Sequence, residues 1–454
     1  MRVLLGSVGL ALCAASAGAQ TGTVFNRPGS GARAAGMANA FIGVSDDGTA
    51  ASWNPAGLGQ LRKPELSVVS TSSRQAFGTA GFRTLDGQAA FTSTHSADTT
   101  SYLDFASLAV PVTIAGKPLT FQLGWRRAYA LDYSENVSTQ RLPLAPDGPL
   151  PVLFTVNGDT AGSVDLVSMA GAVKLTSRLA FGGSVNLWRG DWTEDVAINQ
   201  VPLDGPGPAS FGTSHQANRV RGHSLSLGLL LTYPRWSVGL LRQGELNGDF
   251  SGSFSAASSG RDSPFEAGGG TGRLRFPQAL GLGVAFRPAS RWTVALDMAW
   301  DEWTKALITP AGGTPISLFD GLPQDLSGTR DTFSASAGAE CLLSGAGFVV
   351  PLRFGAAWEP QGGRSPYTRD PVNFVMLAAG TGYNTNSLKF DAALQYRWTS
   401  ALGGANYSVD LPDTLVPVAI GERSMKEWRL KLSVIVRVTD ADKVLGTLRR
   451  VFGS

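Results

Sequence analysis

The feature that most constrains this chain is a repeated alternation of large apolar residues with small or polar ones, without any long apolar run. From Trp292 to Trp300 every second residue is large and apolar, and Asp297 lies among the residues between them. The same alternation runs through 387–398 and 428–438. A period of two places successive side chains on opposite faces of a β-strand, so each segment predicts a strand with one apolar face. Beyond the N-terminal signal-like stretch, no segment approaches the ~18 continuous apolar residues of a membrane-spanning helix.

Tryptophans and a low charge content indicate that the apolar faces meet lipid. A soluble sandwich also alternates in this way, but only 16% of this chain is charged, against about 25% in soluble domains. Trp292 and Trp300, like Trp398 and Trp428, stand at the ends of predicted strands and still on the apolar face. The aromatic girdles of a membrane barrel meet the lipid headgroups at such positions. The 38 basic and 35 acidic residues are balanced, which gives no case for a nucleic-acid partner.

The alternating segments predict about fourteen strands, joined by connections that are alternately short and long. The predicted strands lie near 65–77, 102–114, 119–133, 162–175, 178–192, 221–233, 235–249, 273–287, 291–303, 331–343, 348–359, 372–382, 387–400 and 425–438. The long connections, rich in Gly, Ser and Pro, include 134–161, 193–220, 251–272, 304–330 and 401–424. Short turns on one rim and long loops on the other are typical of bacterial outer-membrane barrels. We therefore predict an all-β fold, a transmembrane antiparallel β-barrel of about 14 strands over residues 65–438.

The two ends of the chain do not alternate. Arg2, the apolar stretch 3–15 and the small residues after it predict a signal peptide over 1–19. Residues 20–64 are rich in Gly, Ala and Asn, and fourteen strands enclose a lumen too wide for their own side chains to fill. We therefore expect 20–64 to fold inside the lumen as an N-terminal hatch (plug). Residues 439–454 carry apolar residues at helical spacing, which predicts a short periplasmic C-terminal helix.

Several motifs give the chain a family resemblance. Residues 31–41 read Gly-Ala-Arg-Ala-Ala-Gly-Met-Ala-Asn-Ala-Phe, and Trp-Asn-Pro-Ala-Gly-Leu follows at 53–58. Later, Phe-Pro-Gln-Ala-Leu-Gly-Leu-Gly occupies 276–283, Trp-Asp-Glu-Trp-Thr occupies 300–304 and Pro-Leu-Arg-Phe-Gly occupies 351–355. In this order the chain resembles the FadL/TodX family of outer-membrane transporters for long-chain fatty acids and aromatic hydrocarbons. The resemblance covers most of the chain after the signal peptide and is specific as a set.

The resemblance implies both a structure and a passive transport function. The structure is a fourteen-stranded barrel with the hatch inside, placed in the cell outer membrane by the barrel assembly machinery. The function is a channel for a hydrophobic small molecule, captured at the extracellular side and released laterally into outer-membrane lipid after the hatch rearranges. Lateral release suits an apolar molecule, because it gains nothing by entering the aqueous periplasm. The alternative is a PorV-like barrel of the same superfamily that serves protein secretion or surface attachment.

The ligand and hatch candidates lie in the N-terminal region. They are Phe25, Arg33, Asn54, Pro55 and Ala56. Asn54 before Pro55 favours a turn, but its place before the first strand favours a hatch in which Asn54 contacts the wall. Arg33 either pairs with nearby Asp46 and Asp47 or holds a ligand carboxylate. The two aspartates themselves are expected to cap turns, since catalysis would need a defined partner base or metal.

A candidate for the lateral exit lies in the third predicted strand, where the resemblance implies a kink. Gly124 interrupts a row of large apolar residues there, and glycine weakens a strand and allows close approach. Arg126 and Arg127 follow at once, which breaks the alternation and suggests a local bulge. The alternative is an ordinary lumen-facing glycine beside a hatch contact.

Residues that could carry catalysis or hold a metal form no recognisable motif. His95, His215 and His223 lack metal-ligand spacing, and 222–226 lacks the second glycine of a nucleophile elbow. Only Cys341 remains once the signal peptide is removed, so no intramolecular disulfide is expected. The sequence predicts no enzyme activity, no metal site and no cofactor.

Overall fold

The computed structural model describes residues 29–79, 82–84, 89–90, 94–141, 152–202, 210–258, 266–364, 371–399, 406–411, 414–420 and 423–438. The predicted signal peptide, Phe25 and the predicted C-terminal helix lie outside these ranges. Within them, helix is confined to α1 (Ala32–Gly36) and three short 3-10 helices, Ala50–Ser52, Pro55–Gln60 and Trp303–Lys305. Strands make up most of the rest.

Fourteen long strands form one closed antiparallel barrel. They are β1 (Glu65–Thr79), β2 (Thr94–Ile114), β3 (Lys117–Ala130, continued by Tyr133–Arg141), β4 (Val152–Lys174), β5 (Leu179–Pro202), β6 (Ser210–Thr232), β7 (Trp236–Gln243, continued by Leu246–Ser258), β8 (Glu266–Phe276, continued by Ala279–Phe286), β9 (Trp292–Asp301, continued by Leu307–Pro310), β10 (Thr332–Ser344), β11 (Val349–Arg364), β12 (Pro371–Asn384), β13 (Leu388–Thr399) and β14 (Arg423–Arg437). Each strand pairs with the next, and β14 closes the barrel on β1, from Arg437 opposite Glu65 to Arg423 opposite Thr79. The predicted all-β barrel of about 14 strands is confirmed.

The apolar face of each barrel strand points outward. On β9, Leu296 is 56% exposed, whereas the neighbouring Ala295 and Asp297 are 0% and 5% exposed. On β14, Trp428 is exposed and Lys431 is buried in the same way. A soluble sandwich would bury the large apolar side chains and expose the charged ones. This barrel does the reverse, which is the arrangement that lipid requires of a membrane barrel.

Aromatic side chains mark two levels of the outer surface. Near the short turns, Tyr233 stacks on Trp236 at 4.2 Å between ring centroids, and Phe348 stacks on Tyr383 at 5.2 Å. Toward the long loops, Tyr396 packs between Trp398 and Trp428. The eight-residue interval from Trp292 to Trp300 corresponds to about 26 Å of extended strand. Because strands of outer-membrane barrels are tilted by about 35–45°, this length rises about 20 Å along the membrane normal and fits within an apolar band about 25 Å tall.

Parts of several predicted long loops are strands, so the strand ends predicted at the long-loop rim were wrong. β4 begins at Val152 instead of near 162, and β5 ends at Pro202 instead of near 192. β6 begins at Ser210 instead of near 221. Above the membrane both faces of a hairpin meet water, so alternation is no longer required. The backbone N–H and C=O groups still need partners, and antiparallel pairing supplies them.

The predicted loops 304–330 and 401–424 also contain strands. The first folds back on the barrel through Leu307–Pro310 and Ile316–Ser317. In the second, Asn406–Leu411 and Thr414–Ile420 form a separate four-stranded sheet with Phe82–Thr84 and Ala89–Ala90. Short strands of this kind carry little alternation, which is why the sequence pattern missed them.

The outward apolar band predicts that a charge at its middle destabilises the barrel far more than a charge above it. Leu296→Arg places a cation at mid-band and should lower the free energy of unfolding by about 2–4 kcal/mol in lipid vesicles. Phe211→Arg is the matched control, because Phe211 is 53% exposed on the part of β6 that extends above the membrane. Denaturant titration can follow the folded fraction by the gel mobility of unboiled protein. Equal destabilisation by the two substitutions would contradict the lipid-facing assignment.

Candidate functional site

Residues 29–61, which we call the inner segment, contact the barrel wall from within. Their partners are inward-facing residues of strands spread around the whole wall. The contacts join Ser30 to Asp104 on β2, Arg33 to Glu340 on β10, Phe41 and Ile42 to Asp297 on β9, Gly43 to Ser237 on β7, Asn54 to Leu229 on β6, and Ala35 to Gln395 on β13. A segment that touches opposite sides of a closed barrel lies in its lumen. None of its residues is exposed.

Asn54 both caps a helix and binds the wall. Its Oδ1 accepts the N–H of Ala56 at 3.1 Å, at the start of the 3-10 helix Pro55–Gln60. Its Nδ2 donates to the carbonyl oxygen of Leu229 at 3.0 Å. The structure therefore combines the turn and the wall contact, which the sequence presented as alternatives.

Glycines of the wall make room for the Asn54–Pro55 corner. A Cβ at Gly228 would lie 2.0 Å from Oδ1 of Asn54, and a Cβ at Gly182 would lie 2.4 Å from the carbonyl carbon of Pro55. Both distances are far below van der Waals contact, so any larger residue would push the inner segment off the wall. The inward faces of β5 and β6 thus need glycine at these two positions.

Arg33 ties the inner segment to the wall through carboxylates. Its Nε and Nη2 donate to Glu340 at 3.0 and 2.9 Å, and its Nη1 donates to Asp46. Glu340 also accepts from the buried Arg353 at 2.7 Å, and Arg353 continues to Asp391 at 2.8 Å. Arg33 is thus paired with carboxylates of the chain, in line with the first of its two interpretations. The cluster lies at the rim formed by the short turns, where it borders an opening of about 480 Å³.

Asp47 belongs to the same charged cluster and also caps a turn. Its Oδ1 accepts the N–H and the hydroxyl of Thr49 at 2.9 and 2.7 Å, just before the 3-10 helix Ala50–Ser52. Burial alone would raise the pKa of Asp47, but Lys389 and Arg33 outweigh it and hold the pKa below its ordinary value. Asp47 therefore keeps its negative charge and helps to hold Arg33.

The main cavity of the lumen has a volume of about 220 Å³ and lies on the long-loop side of the inner segment. The inner segment contributes Ile42 and Trp53, and the wall contributes Tyr129 and Leu241. Trp303 lines it from the 3-10 helix between the two parts of β9. Apolar and aromatic side chains on several sides are the usual setting of a hydrophobic ligand site.

An aromatic cluster beside the main cavity was missed in the sequence. Trp303 is 2% exposed and makes edge-to-face contacts with Phe276 at 5.1 Å and with Phe319 at 5.5 Å. Phe276 in turn contacts Tyr129 at 5.8 Å. One signal could have revealed the cluster: Trp303 is an odd number of residues from Trp292 and Trp300, so it is out of step with the outward tryptophans of the first part of β9.

The basic side chains of the main cavity are paired with carboxylates. Lys431 binds Asp104, which also accepts the hydroxyl of Thr71 at 3.1 Å. Glu427 accepts from Arg429 at 2.7 Å and from Arg397. Buried charges are tolerated when each has such a partner.

The wall has an irregularity at β3, close to the predicted exit. Among the described residues 94–141, the backbone ladder between β2 and β3 runs from Ile114 opposite Lys117 to Phe105 opposite Arg126, and no further. On the other side of β3, the register with β4 shifts between Arg127 and Tyr129. The bulge expected from Arg126 and Arg127 is therefore present, one residue further along.

Gly124 itself is regularly paired and faces the lumen. It lies opposite Ser107 on β2 and Ser168 on β4, and a Cβ on it would lie 3.5 Å from the Cβ of Ser107. Gly124 is thus no gap in the wall, which favours the alternative of a lumen-facing glycine. It lines a small cavity together with Ala51 and Ser52 of the inner segment.

Two small cavities continue the main one along the inner side of β3. The first shares Ala128, Tyr129 and Gln243 with the main cavity. The second shares Gln243 and Arg126 with the first and ends at Gly124. The exit candidates Gly124, Arg126 and Arg127 are therefore brought together along one path, whereas Arg33 lies apart from them at the short-turn rim.

The described residues contain neither a helix that could cross a membrane nor a group of side chains that could hold a metal ion. No helix among them is long and apolar enough to cross a membrane. No three of their His, Cys, Asp and Glu side chains are grouped so that they could hold a metal ion.

Comparison with known proteins gives structural matches alone. No protein-family model matches the chain, and no curated sequence matches it significantly. The structure of a Pseudomonas aeruginosa FadL homologue gives a TM-score of 0.62 at 13% identity, over 91% of this chain and all of its own. The monoaromatic hydrocarbon channel CymD gives 0.57 at 15% identity, covering 92% and 99%, and the Pseudomonas putida toluene transporter TodX gives 0.54 at 16%, covering 92% and 100%. The chain therefore has the fold of the FadL and TodX outer-membrane channels.

Proposed function

We propose that this protein is an outer-membrane channel through which hydrophobic compounds enter passively. The observation that carries the proposal is the closed barrel with an aromatic-lined cavity above an inner segment that fills the lumen. A ligand enters from the long-loop rim, which faces the outside in barrels of this kind. Trp53, Tyr129 and Trp303 offer it apolar surface. The fold shared with a FadL homologue and a toluene transporter supports this proposal.

The inner segment acts as the hatch in this proposal. It contacts strands around the wall and is held at the short-turn rim by Arg33, Glu340 and Arg353. A filled lumen blocks the straight aqueous path for polar solutes. A hydrophobic ligand gains nothing from that path, because it leads to water.

The ligand leaves sideways through the wall at β3. The row of small cavities leads from the main cavity along β3 toward Gly124. The ladder with β2 stops at Phe105 opposite Arg126, about nine residues above the short turn. A membrane strand spans about 9–11 residues, so the end of the ladder lies at the outer part of the membrane. Movement of Ala51 and Ser52 with the hatch would connect the cavities to this site.

The exit proposal predicts that a large side chain at Gly124 slows uptake. Gly124→Trp fills the last small cavity, so uptake of a radiolabelled hydrophobic compound by cells expressing the protein should fall several-fold. Ligand binding to the purified protein should persist, because the main cavity is unchanged. Gly158→Trp is the matched control, since Gly158 has open space around it on the part of β4 that extends above the membrane. Unchanged uptake by a correctly folded Gly124→Trp protein would place the exit elsewhere.

The hatch proposal predicts that loss of the Arg33 pairs makes the barrel leaky. Arg33→Gln removes the cation that joins Asp46 of the inner segment to Glu340 of the wall and leaves Glu340 with Arg353 alone, so the inner segment is held less firmly at the short-turn rim. The conductance of planar bilayers and the swelling of vesicles in small sugars should both rise. Arg33→Lys should restore part of the seal, and Arg242→Gln on the exposed outer surface should change nothing.

Deletion of residues 20–59 is the stronger form of the same test. The barrel should still assemble, because its strands pair with one another without the inner segment, and its permeability should become high and non-selective. A deleted barrel that passes small polar solutes no faster than the intact protein would contradict the hatch.

A further inference from the structure

We infer that the main cavity takes an uncharged hydrophobic compound about the size of one substituted benzene ring and disfavours carboxylates. This inference rests on the proposed channel function and names its class of substrate. A fatty acid and an aromatic hydrocarbon differ most in charge, because the first carries a carboxylate at neutral pH. The charges that line the cavity therefore distinguish the two.

Every basic side chain in the described lining already binds a carboxylate of the wall. The pairs are Arg127 with Asp165 at 3.2 Å, Arg397 with Glu427 and with Glu359 at 3.5 Å, Arg429 with Glu427 at 2.7 Å, and Lys431 with Asp104. A ligand carboxylate would have to displace one of these partners. The displaced carboxylate would then be left buried without its cation, which is unfavourable.

Acidic groups outnumber basic ones around the cavity. Against the four basic residues stand six acidic ones, apart from the buried Asp297, which accepts the N–H groups of Phe41 and Ile42: Asp98, Asp104, Asp132, Asp301, Glu359 and Glu427. Like charges close together in a partly dry site repel strongly, because the effective dielectric constant is lower than in water. An anionic ligand therefore meets a field of its own sign.

The size of the cavity points to a small ligand. Its volume is about 220 Å³, and an apolar cavity of about 150 Å³ is enough to bind benzene. One substituted ring fills it, whereas a long acyl chain would have to extend into the small cavities that Gly124 and Arg126 line.

The first experiment compares three ligands that differ in charge and share a ring. Tritiated toluene, benzoate and benzylammonium are titrated against the full protein in lipid nanodiscs, and binding to empty nanodiscs is subtracted. Toluene should bind at least tenfold more tightly than either ion. Benzoate binding as tight as toluene, or benzylammonium binding more tightly, would overturn the inference.

A single substitution then tests the charge argument. Asp104→Asn keeps the shape of the side chain and removes the carboxylate that holds Lys431. The ratio of toluene affinity to benzoate affinity should fall about tenfold. Asp159→Asn makes the same change of charge on the exposed arm of β4, outside the cavity, and should leave the ratio as in the unaltered protein. An unchanged ratio in a folded Asp104→Asn protein would overturn the inference.

Failure of the inference and failure of the channel proposal give different results. Benzoate binding that Arg126→Gln abolishes would reveal an anion site in the small cavities and overturn only the inference. If toluene, benzoate and a long-chain fatty acid all fail to bind and to enter expressing cells, the channel proposal itself is wrong.

Discussion

The rest of the structure depends on the need to satisfy backbone hydrogen bonds in lipid. The bilayer core holds no water for a free N–H or C=O group, so a sheet that crosses it must close on itself. Here β14 meets β1 over fifteen residue pairs, from Glu65 opposite Arg437 to Thr79 opposite Arg423. Closure turns one face of every strand to lipid and the other to the lumen. The outward Leu296 and the inward Asp297 are neighbours in sequence and differ in surroundings for this reason alone.

Closure leaves a lumen that side chains of the wall cannot fill, and the inner segment fills it. Its fit depends on small residues on both sides, as where Gly228 and Gly182 admit Asn54 and Pro55. Its fixation depends on buried ion pairs, such as that of Arg33 with Glu340. The glycine contacts set the distance between the inner segment and the wall. The ion pairs resist displacement of the inner segment, because each buried charge needs its partner. A segment held in this way is attached to the wall at several points around the lumen.

The sequence predicted the membrane-facing half of the fold and less of what lies inside or above it. Alternation revealed all fourteen strands, because lipid imposes it on one face. It made the strands too short on the long-loop side, where β4 begins at Val152 and β5 ends at Pro202. Water on both faces of a strand removes the need for one apolar face. Arg33 could be assigned to carboxylates, yet Glu340, about 300 positions away, could not be found by spacing. The main cavity combines residues from most of the strands, and no local pattern records which of them meet.

The position of the wall irregularity follows from the same hydrogen-bonding constraint. An opening in the middle of an intact ladder would expose pairs of N–H and C=O groups to lipid, each at a cost of several kcal/mol. At β3 regular pairing is already interrupted in the folded protein. The ladder with β2 stops at Phe105 opposite Arg126, and Ala128 is the extra residue of the bulge toward β4. A lateral path there breaks fewer backbone hydrogen bonds than a path between any two regularly paired strands. The bulge is therefore a place where the lateral release that we propose would disrupt few backbone hydrogen bonds.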